Sequence, residues 1–277
     1  MLLAVDVGNS NTVIGLCRID PAVDHPDADG DADGLLDVWR LTTEADRMPD
    51  EWFSLLWPLF SARGLPVTSI TDVVVSSVVP SVTRWFSTMC RERLGVDPLI
   101  VGIDLDLGMR ALVDRPSEVG ADRLVNTVAA FRRYGGPAIV IDFGTATTFD
   151  VVSADGDFLG GAIAPGLMIA LEALTGKAAR LFAVDLAIPA AAIGTNTVTN
   201  IQSGLVLGYL AMLEGMIGRI RAELGGSATV VVTGGLARTF ADASDMIDHY
   251  DADLIIEGLR IIHRRVRAGR AAGEART

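Results

Sequence analysis

Two stretches of the chain carry residue types suited to gripping phosphate. The first is Asp6-Val7-Gly8-Asn9-Ser10-Asn11; the second is Asp142-Phe143-Gly144-Thr145-Ala146-Thr147-Thr148. A phosphate site needs backbone N–H groups that point at anionic oxygens and no side chain in the way. In each stretch a glycine permits a tight turn, hydroxyls and amides add donors, and an aspartate at a strand end can hold a cation directly or through water. Either turn alone reads more readily as an ordinary hairpin turn. The repetition is the stronger signal: Asp6 aligns with Asp142, Gly8 with Gly144 and Thr12 with Thr148, about half a chain apart. Facing hairpins of this kind could clamp a polyphosphate. Neither contains the GxxxxGK[ST] pattern of a P-loop, and Thr175-Gly176-Lys177 lacks the upstream glycine.

Gly120-Ala121-Asp122-Arg123 opens a helical segment. An acid in a first helical turn ordinarily just complements the helix dipole. Beside a glycine, between two phosphate-type turns, Asp122 could also take the proton from an acceptor hydroxyl. Arg123 could pair bidentately with a carboxylate or phosphate. Base assistance of this type is worth about 10²–10⁴ in rate, so positioning and charge would supply the rest. Thr233-Gly234-Gly235 ends an apolar run and could lie against a base or ribose, or simply start a helix. Gly160 to Gly166 reads as a small-residue loop that could admit a substrate or merely turn the chain.

The elements that must position these residues alternate between strand and helix. Leu2–Asp6 and Thr12–Leu16 flank the first turn, and Ala138–Ile141 and Phe149–Val152 flank the second. Val73–Val79 is an apolar strand ended by Pro80, followed by a helical run from Val82 to Leu94 and a short strand at Pro98–Gly102. Ala121–Tyr134 is an amphipathic helix stopped by Gly135-Gly136-Pro137. Ile201–Leu224 is a long helix in which Gly204, Gly208 and Gly215 interleave with large apolar residues. Glycine inside a helix costs about 1 kcal/mol relative to alanine, so close approach of another backbone is the expected reason. The repeated hairpin implies two duplicated domains, residues 1–115 and 116–277.

Composition narrows the class. The formal net charge is −12, which argues against a nucleic-acid or anionic-membrane surface. Asp20 to Asp37 reads as a solvated acidic loop insertion; its carboxylates do not complete a calcium-binding loop. Cys17 and Cys90 fall in no metal or redox spacing. No secretory signal is read at the N-terminus. The expectation is a cytoplasmic protein.

The motifs above, with Ser76-Ser77-Val78-Val79-Pro80, Gly194-Thr195-Asn196-Thr197 and Ile201-Gln202-Ser203-Gly204, occur in one order along the chain. Together they resemble the type III pantothenate kinases. The resemblance implies two duplicated actin-like (ribonuclease H-like) domains, each a mixed sheet flanked by helices, and ATP-dependent phosphorylation of the primary hydroxyl of pantothenate, the first step towards coenzyme A. It implies that Asp122 is the catalytic base and that Gly120, Ala121, Arg123 and Thr197 bind pantothenate. Asp6, Gly8, Asn9, Ser10, Asn11, Thr145, Thr147, Thr148, Gly234 and Gly235 would bind ATP, with Asp142 a ligand of a monovalent cation (potassium or ammonium) and magnesium arriving with the nucleotide. It further implies a homodimer with a shared active site, the helix after Ile201 being either a dimer contact or a buried core helix. The sequence departs from the family pattern at Val113, where a tyrosine is common, at Thr195 in place of a lysine, and at Leu181-Phe182 in place of Leu-Pro. These positions bear on pantothenate affinity more than on phosphate chemistry. Two other readings belong beside this one: a kinase for another small alcohol on the same fold, and a nucleotide-binding regulatory relative that no longer catalyses.

Overall fold

The computed structural model describes residues 1–19, 34–178 and 180–274. Most of the acidic loop lies outside the described residues. The chain forms two compact units: Met1–Arg133 joined by Asp253–Thr277, and Tyr134–Ala252.

The first unit is built on a five-stranded sheet. Strands β1 (Leu2–Val7), β2 (Asn11–Cys17) and β3 (Leu35–Thr42) form an antiparallel meander. β4 (Asp72–Ser77) runs parallel to β1, and β5 (Leu99–Ile100) parallel to β4, giving the order β3-β2-β1-β4-β5. Alternation along β1 sends Leu3, Val5 and Val7 into one core and Asp6 to the opposite face. That core is filled by Trp52, Leu56 and Phe60 of α1 (Pro49–Ala62) and by Val82, Phe86 and Met89 of α2 (Pro80–Met89). Proline sits in the first turn of both helices, where its missing N–H costs nothing. The β2 backbone is approached by α8 (Leu254–Glu274): a Cβ on Gly15 would lie 2.5 Å from Ile256 Cγ2. α3 (Ala121–Tyr134) packs on α8 through Gly258, where a Cβ would collide with the carbonyl oxygen of Val125.

The second unit repeats the plan. β6 (Ala138–Phe143), β7 (Ala146–Val152) and β8 (Phe158–Pro165) form the meander; β9 (Thr229–Gly234) and β10 (His249–Tyr250) add in parallel, in the order β10-β9-β6-β7-β8. β1 and β6 share one burial pattern, as do β4 and β9, and each pair occupies the same place in its sheet. The flanking helices are α4 (Leu167–Lys177), α5 (Thr197–Gln202), α6 (Gly208–Glu223) and α7 (Ala237–Ala241). α5 runs through a π turn at Ser203–Leu207 into α6. Phe143 stacks on Phe240 with ring centroids 5.0 Å apart.

Three expectations change here. The division does not fall near residue 115: α3 stays with the first unit because Leu124, Val125 and Ala129 are buried there, and α8 returns to the first sheet, where His263 Nε2 lies 3.0 Å from Asp72 Oδ1. Gly160–Gly166 is not a loop, since most of it is the edge strand β8. Gly161 is required there because a Cβ would run into the carbonyl of Phe149. Nothing in the described chain closes on the helix glycines: a Cβ at Gly204, Gly208 or Gly215 would meet no atom within 4 Å. Thr197–Glu223 is long and apolar enough to cross a membrane by composition, but Val206, Tyr209, Leu213 and Ile217 form a stripe in the core of the second unit.

Candidate active site

In the first unit the site residues gather at the C-terminal edge of β1 and β4, the edge at which open α/β sheets bind ligands. The Gly8 N–H donates to the carbonyl oxygen of Asn11 at 3.0 Å and closes the turn. Thr43, just past β3, supports it from the side: its N–H donates to the Ser10 carbonyl at 2.9 Å, and its hydroxyl lies 2.9 Å from that of buried Thr12. Asn9, Ser10 and Asn11 are exposed and Asp6 is half-buried.

Gly120 and Val78 connect Asp122 to the C-terminal ends of β1 and β4. The Val78 N–H donates to the Val7 carbonyl at 3.0 Å, and a Cβ on Gly120 would lie 3.7 Å from Val78 Cγ1. The same Cβ would collide with Asp122 Oδ1. Glycine at 120 therefore clears the space that the carboxylate occupies. Asp122 Oδ1 accepts the Arg123 backbone N–H at 2.8 Å. Burial raises the Asp122 pKa above the ordinary carboxylate range, opposed by the Arg123 N–H and guanidinium. A carboxylate made more basic by desolvation is suited to accept a proton. Gly120, Ala121 and Arg123 are half-buried around it.

In the second unit the equivalent edge of β6 and β9 carries the other group. The Gly144 N–H donates to the Ala146 carbonyl at 3.0 Å, and the Gly166 N–H donates to the Thr145 carbonyl at 3.1 Å. Gly234 has φ +94°, a region costly for any other residue, and a Cβ there would stand 2.6 Å from Asp142 Oδ1. The Gly235 N–H donates to the Phe143 carbonyl at 3.2 Å. Asp142, Gly144, Thr145, Gly234 and Gly235 are thus brought together, with Gly144, Thr145 and Gly235 exposed.

The register corrects the alignment of the two hairpins. Val7 pairs with Thr12, whereas Phe143 pairs with Thr147, so the second turn is one residue shorter and Thr12 corresponds to Thr147. Thr147 is only 1% exposed, and its hydroxyl accepts a bond from the Tyr209 hydroxyl. The Thr148 hydroxyl donates to Asp150 Oδ2 at 2.9 Å, down the strand. Of the three expected threonines only Thr145 is exposed; Thr148 is half-buried and Thr147 buried. Thr197 is the exposed first residue of α5, capped by the Asn196 side chain, which accepts the Thr199 N–H at 3.0 Å. Among the described residues no hydrogen bond joins Thr197 to the Gly144 turn. Gly166, Thr43 and Tyr209 support the turns without having been picked out as site residues; only Gly166 lay in a motif.

No cluster of three or more His, Cys, Asp or Glu side chains among the described residues could cage a metal. One carboxylate per strand end, Asp6 and Asp142, instead fits a cation held mainly by phosphate oxygens, as magnesium usually is.

Two mixed sheets of one topology, each flanked by helices and each carrying a glycine turn after its first strand, give the chain an actin-like fold. A solved activator of 2-hydroxyisocaproyl-CoA dehydratase from Clostridium difficile, with bound ADPNP, shares the fold, with TM-score 0.51, 11% identity, and coverage of 99% of this chain and 97% of that one. The family model for type III pantothenate kinase matches residues 2–219. A type III pantothenate kinase of Roseiflexus sp. is 45% identical over 97% of this chain and all of its own length. One from Thermomicrobium roseum is 46% identical over 96% of this chain and 98% of its own. The chain belongs to the type III pantothenate kinase family.

Proposed function

We propose that this chain transfers the γ-phosphate of ATP to the primary hydroxyl of pantothenate, the first step of coenzyme A synthesis, with Asp122 as the base. The observation that carries the residue assignment is the seat of Asp122: desolvated, in a space that only glycine at 120 leaves open. Asp122 accepts the hydroxyl proton as the acceptor oxygen attacks phosphorus, and ADP leaves. Gly120, Ala121 and Arg123 hold pantothenate, with the guanidinium available to its carboxylate. Gly8, Asn9, Ser10, Asn11, Gly144 and Thr145 offer donors to the phosphates. Bare Gly234 and Gly235 accommodate the nucleoside. Asp6 would help hold the magnesium that arrives with ATP, which would supply positive charge to the phosphates. Asp142, at the C-terminal end of β6, would serve a monovalent cation, potassium or ammonium.

The enzyme works as a cytoplasmic homodimer, with no nucleic-acid or membrane partner. Supporting self-association, large apolar side chains of the second unit stand in the open, with Ile193 86% exposed, Ile163 66% and Phe182 52%. The helix glycines Gly204, Gly208 and Gly215 face nothing among the described residues. Thr197 then reaches the pantothenate of the neighbouring subunit.

The test is phosphopantothenate formation from ATP and pantothenate, with potassium replaced by sodium in a second arm and molar mass measured by light scattering. Product formation stimulated by potassium, from a dimer, is expected. No product from folded protein would overturn the activity. Equal rates in sodium would remove the monovalent site, and a monomer at assay concentration would remove the shared site.

A further inference from the structure

The two hairpin turns are braced differently, and the difference points to a residue in the second. In the first turn, buried Thr12 finds its hydroxyl partner in Thr43, the residue that also donates its N–H to the turn at Ser10. The equivalent of Thr43 in the second unit is Gly166, whose N–H donates to Thr145. Gly166 can have no side chain, because a Cβ would collide with the Thr145 carbonyl and lie 2.6 Å from that of Gly144. Thr147, the equivalent of Thr12, must therefore find its partner elsewhere. It finds it in Tyr209, whose hydroxyl donates to Thr147 Oγ1 and also reaches the Pro165 carbonyl at 3.2 Å.

Those two partners flank the turn. Thr147 follows Ala146 on β7, and Pro165 pairs with Ala146 from β8. The Tyr209 ring is itself held between Phe143, 6.4 Å away by centroids, and Phe240, 5.5 Å away. The π turn aims it. Ile201 and Val206, both buried, are five residues apart across Ser203–Leu207, after which Val206, Tyr209, Leu213 and Ile217 keep helical spacing in the core of the second unit. An uninterrupted α-helix would rotate the later stripe by about 100° relative to Ile201.

We propose that Tyr209 is a positioning residue for ATP, fixing through Thr147 and Pro165 the shape of the turn at Gly144–Ala146 on which the nucleotide phosphates rest. The inference rests on the reading of that turn as a phosphate site. Tyr209→Phe keeps the ring and removes only the hydroxyl. A hydrogen bond of ordinary net strength corresponds to about a two- to tenfold change in an equilibrium constant. The expected result is a rise of that size in KM for ATP, with kcat and KM for pantothenate nearly unchanged. Thr147→Val should give the same rise, and the double variant no more than either single one. Hydrogen exchange of the turn amides with ADPNP separates the two levels of the argument. No protection of the wild-type turn by nucleotide overturns the site reading and the inference with it. Protection in the wild type with an unchanged ATP KM in both variants overturns the inference alone. So does an additive double variant, or a loss in kcat and both KM values that tracks a lowered melting temperature.

Discussion

Gly120→Ala separates catalytic geometry from stability at one position. Gly120 is not in the left-handed region, so alanine carries no backbone penalty there. Its Cβ would meet ordinary contact with Val78 Cγ1 at 3.7 Å, and its conflict is with Asp122 Oδ1. That oxygen ends a side chain with two rotatable bonds, so relief is cheap for the fold. The carboxylate must retreat by roughly 1 Å to reach normal van der Waals separation. The 2.8 Å bond from the Arg123 N–H is weakened or lost in that retreat, at about 1 kcal/mol. For catalysis the same movement is expensive, since a misplacement of about 1 Å can cost about 10²-fold, equivalent to about 2.7 kcal/mol in the barrier. Steady-state kinetics with pantothenate varied, alongside a melting curve, should show kcat reduced about 10²-fold, KM for ATP unchanged and a melting temperature within a few degrees. A kcat equal to wild type would refute the claim that glycine at 120 makes room for the base.

Asp122→Asn should lower kcat by about 10²–10⁴ while raising thermal stability at pH 8. The folded pKa of Asp122 is raised by burial, so its ionised form opposes folding above that pKa, and the variant's advantage should vanish as the pH falls towards the unfolded value near 4. Gly234→Ala forces φ +94° on a residue with a Cβ 2.6–2.7 Å from Asp142 and Phe143. Strain of about 1–2 kcal/mol and overpacking of about 1–3 kcal/mol should appear as a lowered denaturation midpoint with unchanged slope. Asp72, hydrogen-bonded by His263, has its pKa lowered to about 2. A depressed carboxylate stabilises the fold above its unfolded pKa and loses that contribution as the pH falls from about 4 to about 2, so His263→Ala should move acid unfolding, followed by circular dichroism, to higher pH.

The parts of the site that could be read beforehand were those in which backbone chemistry forces a residue type. Gly234 stands at φ +94° with no room for a Cβ, the Cβ space at Gly8 is tight, and the aspartates at the strand ends announce the duplication. The register slip was hidden because Thr147 and Thr148 are both threonine, so aligning residue types cannot choose between them; only the pairing of Phe143 does. Gly160–Gly166 looked like a loop because its glycines signal turns. The reason for Gly161, a neighbouring strand's carbonyl, lies in tertiary contact. The return of α8 to the first sheet was equally invisible: an amphipathic helix shows that it packs, never on which sheet. Tyr209 gave no local signal, since its role depends on a π turn and on the side chain missing at Gly166.

The measurement that bears most directly on the central claim is the single-turnover rate of phosphoryl transfer to pantothenate against pH, for wild type and Asp122→Asn, with ADPNP binding measured in parallel. The account predicts a wild-type rate that falls on acidification as Asp122 takes up a proton. It also predicts a variant at least about 10²-fold slower with no such fall, and equal nucleotide binding by both. A variant that transfers phosphate at the wild-type rate, or a wild-type profile that the substitution leaves in place, would contradict it.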